Sequence, residues 1–111
     1  MAVAAGEERR VRLDDKYVLD EGIAFMTGVR ALVRLPLEQA RRDRAAGLKI
    51  GTLISGYPGS PLGGYDLALL QASSHLADLD IHFVPGLNEE LAAANVWGSQ
   101  MSEVFAPRAT A

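Results

Sequence analysis

Two short apolar stretches, "KIGTLIS" (49–55) and "IHFVPG" (81–86), lie on either side of a helical pattern, and this alternation constrains the fold more than any other feature of the chain. The first is brief, apolar in its middle and bounded by glycines, which reads as a short buried strand. Between the two, Leu62, Tyr65, Leu69, Ala72 and Leu76 follow a 3-4-3-4 spacing, the signature of an amphipathic helix. Strands joined through a helix pair in parallel, so an α/β layer fold is expected: a partial parallel sheet flanked by helices. Ligands of such sheets bind beyond the C-terminal ends of the strands. The segments 56–64 and 85–89, which follow the two strands, are therefore expected to lie side by side at one edge. Two strands alone make a thin sheet with two open edges, so the chain is expected to form part of a larger one.

Helical patterns flank this unit. From Asp20, with Asp20 and Glu21 placed to favour a helix N-terminus, Met26, Val29 and Val33 form one apolar stripe. Pro36 is expected to break or kink it. A second polar helical stretch, "LEQARRDRAAG", follows, with Glu38 and Arg42 at i, i+4 and Gly47 as the stop signal. The last helix is expected from about Asn88 to Phe105. Leu91, Ala94, Gly98, Met101 and Phe105 share one face, widened by Ala92, Ala93, Val96 and Trp97, which predicts burial over much of its surface and a core position for Trp97. Residues 1–16 are mixed in charge and without a clean period, and are read as a mobile N-terminal arm. There is no internal repeat and no low-complexity segment.

The chemistry open to these residues is bounded by what they lack. The chain has no cysteine, which rules out a disulfide framework, a cysteine-held iron–sulfur cluster and a cysteine nucleophile among its 111 residues. A net charge of −3 gives no general pull toward nucleic acid or anionic lipid. No signal peptide and no stretch long enough to span a membrane is visible, so a cytoplasmic location is expected. His75 and His82 are isolated, without metal-ligand spacing, and Asp78 and Asp80 read as turn residues. Arg41, Arg42 and Arg44 read as a solvated helix face rather than a phosphate site.

Two segments carry candidate site chemistry. In "SGYPGSPLGGYD", glycines at 56, 59, 63 and 64 permit unusual backbone angles and close approach of a ligand. Ser60 and Pro61 form an N-cap and N1 pair, so the following helix is expected to start there, with free N–H groups able to hold a carboxylate or phosphate. An ordinary strand-to-helix turn is the alternative reading. In "PGLNEELAAANVWG", Asn88 reads as an N-cap, and Glu89 and Glu90 fall in the first helical turn. These glutamates serve either to complement the helix dipole or, for one of them, to aim a carboxylate at a ligand. Adjacent residues point about 100° apart on a helix, so at most one faces a shared site.

Taken together, "SGYPGSPLGGYD" and "FVPGLNEELAAANVWGSQ", with the upstream "DDKYVLDEG" and "LDEGIAFMTGVRALVRLPLEQARRDRAAGL", resemble the N-terminal part of indolepyruvate ferredoxin oxidoreductase-like proteins. These belong to the thiamine-diphosphate-dependent 2-oxoacid:acceptor oxidoreductases. The resemblance covers roughly residues 12–105, and the closing "APRATA" does not look like the family's continuation. It implies that residues 17–105 are part of a pyrimidine-binding domain and that 106–111 form a divergent tail. Gly56, Tyr57, Pro58, Ser60 and Pro61 occupy the family's "GYP-x-T/S-P" loop, which binds the aminopyrimidine of thiamine diphosphate. Ser60, with Pro61, is implied to lie near the 2-oxoacid, and Glu89 occupies the place of the essential glutamate. The chemistry implied is oxidative decarboxylation. A carboxylate donates to, or shares a proton with, ring N1′ of the cofactor, which lets its 4′-amino group deprotonate C2. An apolar pocket raising the glutamate's pKa would favour that sharing.

The resemblance further implies Mg²⁺ with thiamine diphosphate, iron–sulfur clusters, coenzyme A, ferredoxin as electron acceptor and a dimeric full enzyme. The diphosphate and metal ligands, the acceptor domain and every cluster cysteine are missing from this sequence. The chain is accordingly read as an N-terminal fragment that depends on further domains or subunits, and as inactive alone. Two alternatives stand beside this reading. One is a non-catalytic α/β module binding a small anion at the Ser60 helix terminus. The other is an inactive truncated remnant, marginally folded and with exposed sheet edges.

Overall fold

The structure, a computed structural model, describes residues 10–101 and 104. Helix α1 spans Asp15–Val18 and α2 Gly28–Ala45; strand β1 spans Thr52–Gly56, α3 Tyr65–Gln71, α4 Ser73–Asp78, β2 Ile81–Pro85 and α5 Glu89–Gln100. The strands pair in parallel, from Thr52 opposite Ile81 to Gly56 opposite Pro85. Among the described residues the architecture is thus α/β with a two-stranded parallel sheet, as the alternation of patterns predicts. The sheet is thinner in cover than predicted. All five β1 residues are only half-buried, and in β2 Ile81 alone is fully buried.

The core lies between helices and one side of the sheet. Val33, Leu37 and Ala40 of α2 meet Ala68 and Leu69 of α3, Ala72, Leu76 of α4 and Ile81 of β2, with Tyr17 of α1 closing one end. Val33, Leu37 and Leu69 are entirely sequestered, and each buried aliphatic side chain of this kind contributes about 1.5–3 kcal/mol relative to exposure. The helical stripe through Leu69, Ala72 and Leu76 is therefore core as predicted, although Leu62 remains exposed. The pattern covers two helices rather than one. The chain breaks at Ala72, whose N–H is shared among carbonyls of the preceding turn, just before Ser73 and Ser74, residues that suit caps better than helix interiors.

The helix expected from Asp20 starts eight residues later. Gly22 sits at φ 108°, outside helical space, and Thr27 supplies the cap, its hydroxyl accepting from Arg30 N at 3.3 Å. Helix α2 then runs through Pro36 without ending. Proline has no N–H to give the Leu32 carbonyl four residues back, and the Tyr65 hydroxyl of α3 donates to that carbonyl instead, at 3.2 Å. At the other end Gly47 does stop the helix. It takes φ 78°, its N–H reaches Arg44 O, and the Leu48 N–H reaches Asp43 O, which together make a Schellman motif.

Glu38 pairs with Arg34 at 2.8 Å and Arg41 at 2.7 Å, not with Arg42. Arg34 also donates to the backbone oxygens of Asp15, Lys16 and Leu19, and Arg41 to that of Tyr17. These arginines of α2 bond carbonyls at the end of α1, of which the Asp15 oxygen also accepts from the Leu19 N–H at 3.0 Å. The stretch read as an arm therefore overlaps α1, in which Asp15 and Tyr17 are buried. Residues 1–9 of that arm, Phe105 and the tail 106–111 lie outside the described residues. No described helix is long and apolar enough to cross a membrane.

Candidate functional site

The parallel register brings the two candidate segments together. Gly56 and Pro85 are the last paired residues, and the Gly86 N–H extends the ladder by one bond, to Gly56 O at 2.7 Å. The Gly56–Gly64 loop and the turn into α5 therefore leave the sheet side by side, as their place after the strands predicts. The turn into α5 is tight. A Cβ on Gly86 would lie 2.9 Å from the backbone nitrogen of Ala92 and 3.0 Å from its Cα, so only glycine allows this approach. Asn88 caps α5 as expected, its side-chain oxygen accepting from Leu91 N at 2.9 Å.

Glu89 follows directly. The Tyr57 hydroxyl, carried by the other loop, donates to Glu89 Oε1 at 2.5 Å. This bond joins the tips of the two segments through side chains. The phenol bond, together with the residue's own backbone N–H, holds the Glu89 carboxyl below the usual carboxylate range. Acceptance by Glu89 in turn raises the Tyr57 phenol above its ordinary value, with desolvation and the nearby negative charge adding to the effect. Glu89 is exposed. The apolar surroundings and raised pKa expected for it are therefore not created by these residues alone; solvent and two donors favour its charged form.

The remaining predicted site residues are placed differently. Ser60 is not a helix cap, because α3 starts at Tyr65 behind Gly64, whose φ is 78°. The Ser60 hydroxyl donates to Leu62 O at 3.3 Å, within its own loop. Pro61 lies in a bend and is exposed, as is Pro58. The helix terminus that an anion site at Ser60 requires is therefore not formed. His82 bonds Asp80 at 2.6 Å and His75 stacks on Tyr17 with ring centroids 5.1 Å apart; no cluster of potential metal ligands occurs among the described residues.

The seating of α5 departs from its apolar pattern. The helix packs on β1, yet Ala92 is its only buried residue, and Trp97 is 62% exposed rather than core. The inward face is Ala92, Asn95 and Ser99, rotated from the apolar stripe. Asn95 Nδ2 donates to Ser55 Oγ at 3.2 Å, and Ser55 donates to Val84 O at 2.7 Å, a polar chain tying α5 to both strands. Sequence reasoning missed Asn95 and Ser55. The signal was the spacing of Ala92, Asn95 and Ser99, three and four residues apart, which puts these small and polar side chains on one face.

An aminopyrimidine nitrogen is an acceptor, and a carboxyl fixed at a strand end beside a glycine-rich loop can meet it only by donating or sharing a proton, which the lowered Glu89 pKa opposes. In carrying such a carboxyl, Glu89 and its loop fit thiamine diphosphate. No family model, no curated protein and no solved structure matches this chain.

Proposed function

We propose that this chain supplies the aminopyrimidine side of the site of a thiamine-diphosphate-dependent 2-oxoacid:ferredoxin oxidoreductase of the indolepyruvate type. The observation that carries the reading is the Tyr57–Glu89 bond between the two loops. It joins, at the C-terminal edge of a parallel sheet, the two segments in which the family resemblance is concentrated. In this reading Gly56, Tyr57, Pro58 and Glu89 hold the aminopyrimidine, while Ser60 and Pro61 lie on the side of the 2-oxoacid. The bound cofactor supplies the carbon nucleophile and electron sink that decarboxylation of a 2-oxoacid needs. Glu89 contributes a carboxyl that donates to, or shares a proton with, the ring nitrogen. The Gly56–Gly64 loop brings backbone close to the ring.

The diphosphate and Mg²⁺ ligands, the iron–sulfur clusters and the coenzyme A site belong to other domains or subunits in this reading, and ferredoxin takes the electrons. With no cysteine in the chain, cluster ligation of the usual thiolate kind falls to those partners. A cytoplasmic, dimeric full enzyme completes the proposal. Isothermal titration of the 111-residue chain with thiamine diphosphate and Mg²⁺ tests it, with circular dichroism as the check on folding. Binding that is lost in Glu89→Ala is the expected result. Equal binding by both proteins refutes the reading for these residues, whereas no binding by a folded wild-type chain shows a scaffold whose site needs the missing domains, and Glu89→Ala is then tested in the full assembly.

A further inference from the structure

We propose that Tyr57 is a positioning residue for Glu89: its phenol fixes one carboxylate oxygen from the opposite loop, so that the remaining acceptor positions meet a ligand in a set orientation. The proposal rests on the reading of Glu89 as the carboxylate that meets an aminopyrimidine, and it gives Tyr57 a role toward the protein in addition to its place beside the cofactor. Glu89 is exposed in the first turn of α5, where a free glutamate side chain samples many rotamers. The bond from Tyr57 removes that freedom. At 2.5 Å it lies at the short end of the range for a hydroxyl donating to an ionised carboxylate. A carboxylate has about four lone-pair sites, so one phenol leaves acceptor capacity for a ligand.

The backbone around the pair is held at both ends. The Gly86 N–H to Gly56 O bond ties the two segments where they leave the sheet, and Asn95 ties α5 to Ser55. The phenol is therefore presented from a fixed base. Tyr57 is not a core residue: it is absent from the buried cluster of Tyr17, Val33, Leu37 and Leu69, so its hydroxyl bond serves Glu89 rather than packing. The other titratable group nearby in the chain is Glu90, which points about 100° away around the helix.

The test uses the full 111-residue chain as wild type, Tyr57→Phe and Glu89→Gln. The Glu89 carboxyl carbon is followed by NMR against pH, and the Tyr57 phenol by its ultraviolet difference absorbance. Tyr57→Phe should raise the Glu89 midpoint, and Glu89→Gln should lower that of Tyr57, with circular dichroism unchanged. Thiamine diphosphate with Mg²⁺ should bind Tyr57→Phe about tenfold more weakly than wild type, the loss expected for one charge-assisted hydrogen bond. Midpoints that ignore the reciprocal substitution overturn the proposal even if the cofactor binds. Tighter binding by Tyr57→Phe overturns it too, because the phenol would then be a competitor for Glu89. Coupled midpoints uphold the fixing of Glu89 even where the chain, without the diphosphate site, does not bind thiamine diphosphate.

Discussion

Helix α2 crosses Pro36 only because another element compensates for it, and that dependence can be measured. Removal of the Tyr65 hydroxyl in Tyr65→Phe leaves the Leu32 carbonyl without the 3.2 Å bond that replaces the missing Pro36 N–H. A typical intramolecular hydrogen bond contributes about 0.5–1.5 kcal/mol net, and stranding a fully buried partner costs more. Leu32 is 38% exposed, so water reaches the vicinity of its carbonyl and the loss should stay near 1 kcal/mol. For a domain of this size that lowers the Tm by about 4–8 °C. Burial raises the Tyr65 phenol's pKa, so its contribution is full below the unfolded-state value and fades as pH rises through the folded one. Neutral pH is therefore the right condition, with the phenol protonated in both states.

A double-mutant cycle separates compensation for Pro36 from an ordinary hydrogen bond. Pro36→Ala restores an N–H that Leu32 O can accept, and exchange of proline for alanine inside a helix is favourable by up to about 3 kcal/mol. With that carbonyl satisfied from within α2, Tyr65→Phe should cost less than half of what it costs beside proline. Urea unfolding followed by circular dichroism gives the four stabilities. If Tyr65→Phe costs the same in both backgrounds, within the roughly 0.3–0.5 kcal/mol of additive behaviour, the hydroxyl is not compensating for the proline and the explanation fails.

Gly86→Ala should destabilise the chain by about 1–3 kcal/mol, since the new methyl meets the backbone of Ala92 rather than a side chain that can turn away; an unchanged urea midpoint would show the turn to be looser than described. Asn88→Ala should cost about 0.5–2 kcal/mol through loss of the bond to Leu91 N, whereas Asn88→Asp, which keeps a capping oxygen, should cost far less. Equal losses in the two Asn88 variants would mean that the cap contributes nothing.

Features decided by local chemistry could be read from the sequence, and those decided by partners in space could not. Gly47 ends α2 and Asn88 begins α5 because one residue's backbone freedom or side-chain oxygen settles each question. The parallel pairing was legible because a helix-length crossover between short strands leaves few alternatives. Pro36 was misjudged because its compensation comes from Tyr65, 29 positions away, which no window on α2 contains. Ser60 was misplaced because a Ser-Pro pair satisfies the rules for a helix start, while the glycines at 63 and 64 delay that start to Tyr65. At the site, the adjacency of the loops was legible from topology, but the contact of Tyr57 with Glu89 depends on where a side chain ends and was not. The orientation of α5 failed for a related reason. Its apolar stripe implied an inward face, yet small and polar residues let it approach β1, and the large apolar ones face outward.

That outward face bears on the electrostatics of Glu89. Leu87, Leu91 and Trp97, exposed by 87%, 45% and 62%, sit on the same turn and helix as the carboxylate. Apolar area of this kind marks a surface suited to meeting another protein surface. While it stays open, water, Tyr57 and a backbone N–H all favour the charged carboxylate, and its pKa lies low. Proton sharing with a ring nitrogen requires the neutral form to be less disfavoured. Covering Leu87 and Leu91, which flank the first turn of α5, would withdraw water from Glu89 and push its pKa upward, against the pull of Tyr57. In the proposed function, burial of the apolar face and tuning of the carboxylate are therefore one event.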